Sequence, residues 1–150
     1  MPQSLARILV HLIFSTKNRA PFLSPDLRTE LHPYLTAALS QNGCIPIEVG
    51  GVEDHVHLLF ALSRTLTVAQ AVESLKTSSS KWIKTRRSSM ANFYWQAGYG
   101  AFSVGQSNLD SVARYIQNQE QHHQQETFQD EFRKFLQKYQ IPFDEAYVWD

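Results

Sequence analysis

Cys44-Ile45-Pro46-Ile47-Glu48-Val49-Gly50-Gly51-Val52-Glu53-Asp54-His55-Val56-His57-Leu58-Leu59-Phe60 holds two apolar runs on either side of a Gly-Gly pair. That is the pattern of a β-hairpin, with strands over Cys44–Val49 and His55–Leu62 and a turn at Gly50-Gly51. Val56, Leu58 and Phe60 occupy alternate positions, so one face of the second strand is core. His55 and His57 then share the other face, toward solvent or a site. Residues two apart on a strand are separated by about 6.6 Å along its axis. Two imidazoles at that spacing can converge on one cation, each about 2.1 Å from it. A His-x-His strand alone is a weak metal signal, since such pairs are more often ordinary surface histidines.

Working outward, Leu5–Phe14 is rich in Ile, Leu and Val and reads as a preceding strand. Ser24-Pro25 starts a helix, with Ser as cap and Pro in the first turn, that ends near Asn42-Gly43. Pro33 falls inside this span, where an interior proline disturbs a helix. A second helix spans about Thr67 to Arg87, with Val68, Ala71, Val72, Leu75 and Trp82 at helical spacing. Phe93 to Gln106 is aromatic and punctuated by glycine, and reads as one strand with turns. A third helix, capped by Asn108, runs to about His123 along Leu109, Val112, Ala113 and Ile116. Thr127 and Asp130 resemble a capping box for a fourth, Phe128–Tyr139, and the aromatic tail Ile141–Asp150 docks on the domain. The order β-α-β-β-α-β-α-α predicts an α+β fold. It is a ferredoxin-like antiparallel sheet with helices packed on one face, plus a C-terminal helix carrying Tyr115.

The chain has 150 residues, the size of one domain, and neither a repeat nor a linker divides 1–150. Hydrophobic residues at 43% and charged residues at 19% argue against disorder and coiled coil. The single Cys44 excludes an internal disulfide and a Cys-rich zinc module. The longest apolar run near the N-terminus, Ile8–Phe14, is too short for a membrane span and has no cleavage signal. The expectation is a cytoplasmic protein with no membrane partner.

Fourteen basic residues balance fourteen acidic ones, but unevenly along the chain. Residues 64–106 carry six basic side chains against Glu73 alone, whereas residues 107–150 carry four basic and eight acidic. Within the second helix Lys81, Lys84, Arg86 and Arg87 form a basic strip interleaved with serines. Such a strip suits phosphate contacts, and equally a solvated helix face. Trp82, Tyr94, Trp95 and Tyr99 are aromatics that can stack on unpaired bases where they are exposed. On the third helix Tyr115 and Gln119 are four residues apart, one above the other at the edge of the apolar stripe. His122 and His123 are rival candidates for a metal.

A His-hydrophobic-His strand preceded by Gly-Gly-x-x-Asp, followed by a basic helix and then by Tyr115-Ile116-Gln117-Asn118-Gln119, resembles the single-tyrosine HUH transposases. These are the small TnpA-type enzymes of insertion sequences, with the REP-associated tyrosine transposases as kin. Trp95-Gln96-Ala97-Gly98-Tyr99-Gly100-Ala101-Phe102-Ser103-Val104 also resembles the segment that these proteins carry before the tyrosine helix. The likeness extends over about residues 5–150. It implies His55, His57 and Gln119 as ligands of Mg²⁺ or Mn²⁺, and Tyr115 as nucleophile. It also implies single-stranded DNA with hairpins as substrate, a 5′-phosphotyrosine intermediate, and a homodimer whose tyrosine helix completes the partner's site. No nucleotide cofactor is expected, since no GxxxxGK[ST] loop is present. Two other readings fit the same residues. One is a domesticated hairpin-binding protein with a cellular role, and the other is a metal-dependent phosphodiesterase that uses water.

Overall fold

The computed structural model describes residues 1–150. Four strands, β1 (Leu9–Ser15), β2 (Ile45–Gly51), β3 (His55–Ala61) and β4 (Gly100–Val104), form one antiparallel sheet in the order β2-β3-β1-β4. The helices are α1 (Pro25–Gln41), α2 (Val68–Arg86), α3 (Leu109–Gln117), the single turn α4 (Gln119–His122) and α5 (Phe128–Lys138). This is the expected α+β, ferredoxin-like arrangement, and no helix is long and apolar enough to cross a membrane.

The period-2 alternation of β1 and β3 sorts their side chains onto two faces. Val10, Leu12 and Phe14 of β1 join Val56, Leu58 and Phe60 of β3 in one core with Leu27, Leu31 and Leu35 of α1 and Val72 and Leu75 of α2. Each such side chain, fully buried, contributes about 1.5–3 kcal/mol. Leu12 faces Leu58 and Phe14 faces Val56 in the β1–β3 register. The opposite face carries His11, Ile13, His55 and His57. Ile13 packs there with Phe102, Phe128, Phe132 and Leu136 beneath α5. The α1/α2 pair thus covers one face, and the C-terminal helices roof the other.

Caps set several boundaries. Ser24 Oγ accepts from the Leu27 N–H at the start of α1, and Thr67 and Gln70 form a reciprocal capping box on α2. At α5 the Thr127 hydroxyl accepts from the Asp130 N–H. α1 continues through Pro33.

Four boundaries differ from the sequence reading. β1 begins at Leu9, because its neighbours β3 and β4 end at Ala61 and Val104; beyond them the Ile8 carbonyl accepts only the Leu62 N–H, at 2.8 Å. Gly50 and Gly51 pair with His57 and Val56 inside β2, so the hairpin turn is Val52–Asp54. A Cβ on Gly51 would lie 2.3 Å from the His55 carbonyl oxygen, which restricts the position to glycine. Of the segment 93–106 only Gly100–Val104 is strand. Trp95 makes an isolated bridge to Thr16, while the Gln96 side chain accepts from the Ser15 N–H where a strand would have gone. The third helix breaks at Asn118, so that α3 ends at Gln117 and Gln119 opens α4.

The tail docks as expected. Val148 and Trp149 pack on the α5 core, and the Asp150 carbonyl accepts from the Gly98 N–H at 2.9 Å. Arg133 Nε and Nη2 hold the Glu145 carboxylate at 2.6 and 3.0 Å.

Candidate active site

His55 and His57 leave β3 on the face away from α1 and α2, and neither meets solvent, because α3, α4 and α5 close over them. Each ring is held at Nδ1. His55 Nδ1 lies 2.7 Å from Asp54 Oδ1, and His57 Nδ1 lies 2.8 Å from His11 Nε2. His123 joins them just beyond α4, with Nδ1 2.7 Å from the Glu126 carbonyl oxygen. A carboxylate and a carbonyl only accept, so His55 and His123 carry Nδ1–H and turn Nε2 inward.

Those three Nε2 atoms converge on one oxygen. Glu131 Oε1, from α5, is 3.3 Å from His55 Nε2, 3.1 Å from His57 Nε2 and 3.0 Å from His123 Nε2. The other oxygen, Oε2, accepts from the Tyr115 hydroxyl and from Gln119 Nε2, the latter at 3.2 Å. Gln119 Oε1 is in turn 3.1 Å from His55 Nε2. Tyr115 stands edge-on to His57, with ring centroids 5.9 Å apart, and its hydroxyl is 3.3 Å from His122 Nε2.

The break at Asn118 matters to this geometry. Gln119 is buried against the histidines while Tyr115, one turn earlier, borders a cavity of about 350 Å³ that also has Lys134 and Lys138 on its wall. α3 can lie this close to β2 because Gly50 has no side chain. A Cβ there would come within 2.8 Å of the Ile116 carbonyl oxygen.

Burial and charge set the protonation states. Burial alone would lower the His55 pKa, but hydrogen bonds to Asp54 and Glu131 outweigh it and raise it to about 9. His57 is lowered to about 4 by burial, which the Glu131 carboxylate offsets only in part. His11 is lowered well below the usual range, by burial first and by His57 second. Glu131 is desolvated, yet the surrounding imidazoles, His57 foremost, hold its carboxyl far below the ordinary carboxylate range. Burial and the Glu131 carboxylate push the Tyr115 hydroxyl well above its ordinary value, so it is held as a phenol.

The residues chosen from sequence fall into two groups. His55, His57, Tyr115 and Gln119 come together in this one buried cluster. Lys81, Lys84, Arg86 and Arg87 lie at the end of α2, behind the sheet from the histidines. Arg86 and Arg87 both pair with Glu30 of α1, at 2.6 and 3.6 Å, and Lys84 Nζ stands 4.5 Å from the centroid of the Tyr94 ring. Tyr94 is 55% exposed, whereas Trp95 is a core residue that donates to Ser79 Oγ at 2.9 Å. His123, a rival candidate for a metal in the sequence, joins the cluster, whereas His11 and Glu131 were not picked out as members of a site. Glu131 sits four positions from Thr127 and directly after Asp130 in the first turn of α5, and nothing in its local spacing separates it from its neighbours.

The donor set suits a divalent cation. His55, His57, His123 and Glu131 each offer one ligand atom, all within 4.8 Å of one another. His123 Nε2 is buried and has no hydrogen-bond partner despite its approach to Glu131, as expected of a lone pair aimed at an ion.

Comparison with known proteins bears on this arrangement. Residues 4–119 match the protein family described as "Transposase IS200 like". The chain is 25% identical over 114 residues to the ISDra2 transposase TnpA of Deinococcus radiodurans, spanning 73% of this chain and 81% of that one. Its fold is similar to the crystal structure of a putative transposase from the same organism, with a TM-score of 0.62 at 23% identity, covering 79% of this chain and 98% of the other. It is also similar to a REP-associated tyrosine transposase bound to a REP hairpin, with a TM-score of 0.61 at 11% identity, covering 82% and 73% of the two chains.

Proposed function

Because the chain belongs to the IS200-like transposase family, we propose that it is a transposase that cuts and rejoins single-stranded DNA at hairpin-bearing ends, with Tyr115 as nucleophile. The observation that carries this reading is the meeting of Tyr115 with His57, Gln119 and Glu131 in one pocket. The solved relative bound to a REP hairpin supports the choice of hairpin DNA.

In this reading the Tyr115 oxygen attacks the scissile phosphorus in line with the 3′ oxygen. The new O–P bond is a 5′-phosphotyrosine, the P–O3′ bond breaks, and the 3′ oxygen leaves as a hydroxyl, taking up one proton for the one that the Tyr115 phenol gives up. The linkage keeps the bond energy, so a second 3′-hydroxyl can reverse the step without a nucleotide cofactor. A divalent cation held by His55, His57 and Gln119 would polarise the phosphate and stabilise the leaving oxygen. Mg²⁺ and Mn²⁺ are the ions that the family resemblance implies.

The chain's own residues supply the rest. Glu131 Oε2 and Gln119 orient Tyr115, while Lys134 and Lys138 line the cavity that a phosphodiester would enter. Lys81, Lys84, Arg86 and Arg87 would take the strand's backbone behind the sheet, with Tyr94 as a stacking surface. Within one chain the Tyr115 hydroxyl meets Glu131 Oε2, and the family resemblance implies a homodimer whose tyrosine helix completes the partner's site.

Single-stranded DNA carrying hairpins, labelled at its 3′ end and incubated with Mn²⁺ or Mg²⁺, tests this directly. The expected result is labelled protein on a denaturing gel that is absent for Tyr115→Phe and His57→Ala. Binding without any adduct would mark a hairpin-binding protein. Cleavage that survives Tyr115→Phe would mark a phosphodiesterase using water.

A further inference from the structure

We propose that His123 and Glu131 complete, with His55 and His57, a three-imidazole, one-carboxylate site for a divalent transition-metal ion. This rests on the reading of His55 and His57 as metal ligands and goes beyond it in ligand set and ion class. Both added residues lie beyond the stretch 4–119 that matches the family.

The geometry carries the assignment. Donor atoms each about 2.1 Å from one ion stand about 3.0 Å apart at right angles and about 3.4 Å apart in a tetrahedron. The three Nε2 atoms lie 3.0, 3.1 and 3.3 Å from Glu131 Oε1, within that interval. Each histidine is braced at Nδ1 by a different partner, namely Asp54, His11 and the Glu126 carbonyl. Bracing of that kind fixes the ring orientation of metal-bound histidines. In a plain ion-pair network His123 Nε2 would donate to Glu131 along a good line, but the atom is buried without a hydrogen bond. Gln119 Oε1, 3.1 Å from His55 Nε2, is in reach as a fifth donor.

Three imidazoles and one carboxylate favour Mn²⁺, Fe²⁺, Co²⁺, Ni²⁺ or Zn²⁺. Mg²⁺ prefers oxygen ligands and keeps its waters. Glu131 would then tie the two halves of the site together, with Oε1 on the ion and Oε2 on the Tyr115 hydroxyl.

Co²⁺ titrated into the purified full chain tests this without reference to cleavage. The expected result is one Co²⁺ per chain with a visible absorption band, not displaced by a thousandfold excess of Mg²⁺. Glu131→Gln and His123→Ala should each weaken Co²⁺ binding on the order of 10–100-fold, with Glu131→Asp recovering part of the loss. On the unaltered protein, electron spin-echo modulation of bound Mn²⁺ should count three imidazole nitrogens, a readout that no folding defect can affect. Two nitrogens, with Co²⁺ affinity lost in His55→Ala but unchanged in Glu131→Gln and His123→Ala, would overturn the proposal and leave the His55/His57 reading intact. Co²⁺ binding indifferent to His55→Ala and His57→Ala would overturn that reading as well.

Discussion

His11 Nε2 lies 2.8 Å from His57 Nδ1, diagonally across the β1–β3 pair. Both rings are buried, so this bond is what fixes the direction of His57 Nε2 toward Glu131. A ligand whose supporting partner is removed typically loses 10–100-fold in metal affinity. His11→Phe keeps an aromatic ring and removes the hydrogen-bond partner of His57 Nδ1. It should lower divalent-metal affinity in that range by calorimetry, whereas His11→Gln should retain part of it. Equal affinity in all three proteins would show that the ring is placed by packing alone.

Gly50 sets the distance between β2 and the tyrosine helix. In Gly50→Ala the new methyl meets the Ile116 carbonyl oxygen at 2.8 Å and its Cγ2 at 2.9 Å, so α3 must shift. Overpacking of this kind costs about 1–3 kcal/mol, measurable by denaturant unfolding. Because Ile116 adjoins Tyr115, strand cleavage should fall as well. Gly105→Ala is the control, since a Cβ there meets nothing closer than 3.8 Å, and it should stay within about 0.5 kcal/mol.

His32 of α1 gives a pH dependence separable from the metal cluster. Burial, reinforced by Arg28, lowers its pKa to about 4, and its Nε2 has no hydrogen-bond partner. Between pH 6.5 and 4 the unfolded chain binds this proton and the folded protein does not. Stability therefore falls as pH drops through that window and levels off below it. With a discount for partial exposure the loss is about 2 kcal/mol. Unfolding curves of His32→Gln should show a shallower decline between pH 6.5 and 4 than the parent. Parallel declines would contradict the assignment.

Charge reversal along the end of α2 tests the DNA path. Each phosphate contact on a single strand contributes about 0.7 to the slope of log affinity against log salt. Lys81→Glu and Lys84→Glu should weaken binding to unrelated single-stranded sequences alike and flatten that slope. Arg86→Glu and Arg87→Glu should do so less cleanly, because both arginines also hold Glu30. An unchanged slope would place the DNA elsewhere.

The parts of the fold carried by local pattern were readable in the sequence. The alternation at Val56, Leu58 and Phe60, the cap at Ser24 and the Thr127–Asp130 pair each specify an element from adjacent residues. The four-residue offset of Tyr115 and Gln119 likewise brought both to the histidines, although the helix between them breaks at Asn118. What escaped depends on partners far away in sequence. β1 starts at Leu9 because of where β3 and β4 end, and the glycines of β2 are strand because His57 and Val56 pair with them. His11 reads as an interruption in an apolar strand until its neighbour across the sheet is known. Glu131 is one acid among eight in the last third of the chain, and only the packing of α5 over the sheet singles it out.

The central claim is that Tyr115 forms the covalent bond to DNA. Peptide mapping by mass spectrometry, after incubation with hairpin-bearing single-stranded DNA and Mn²⁺ and digestion with nuclease, reads the attachment site itself. The account predicts a 5′-phosphonucleotide on the peptide containing Tyr115, lost in Tyr115→Phe. An adduct on another residue, or strand cleavage with no adducted peptide, would contradict it.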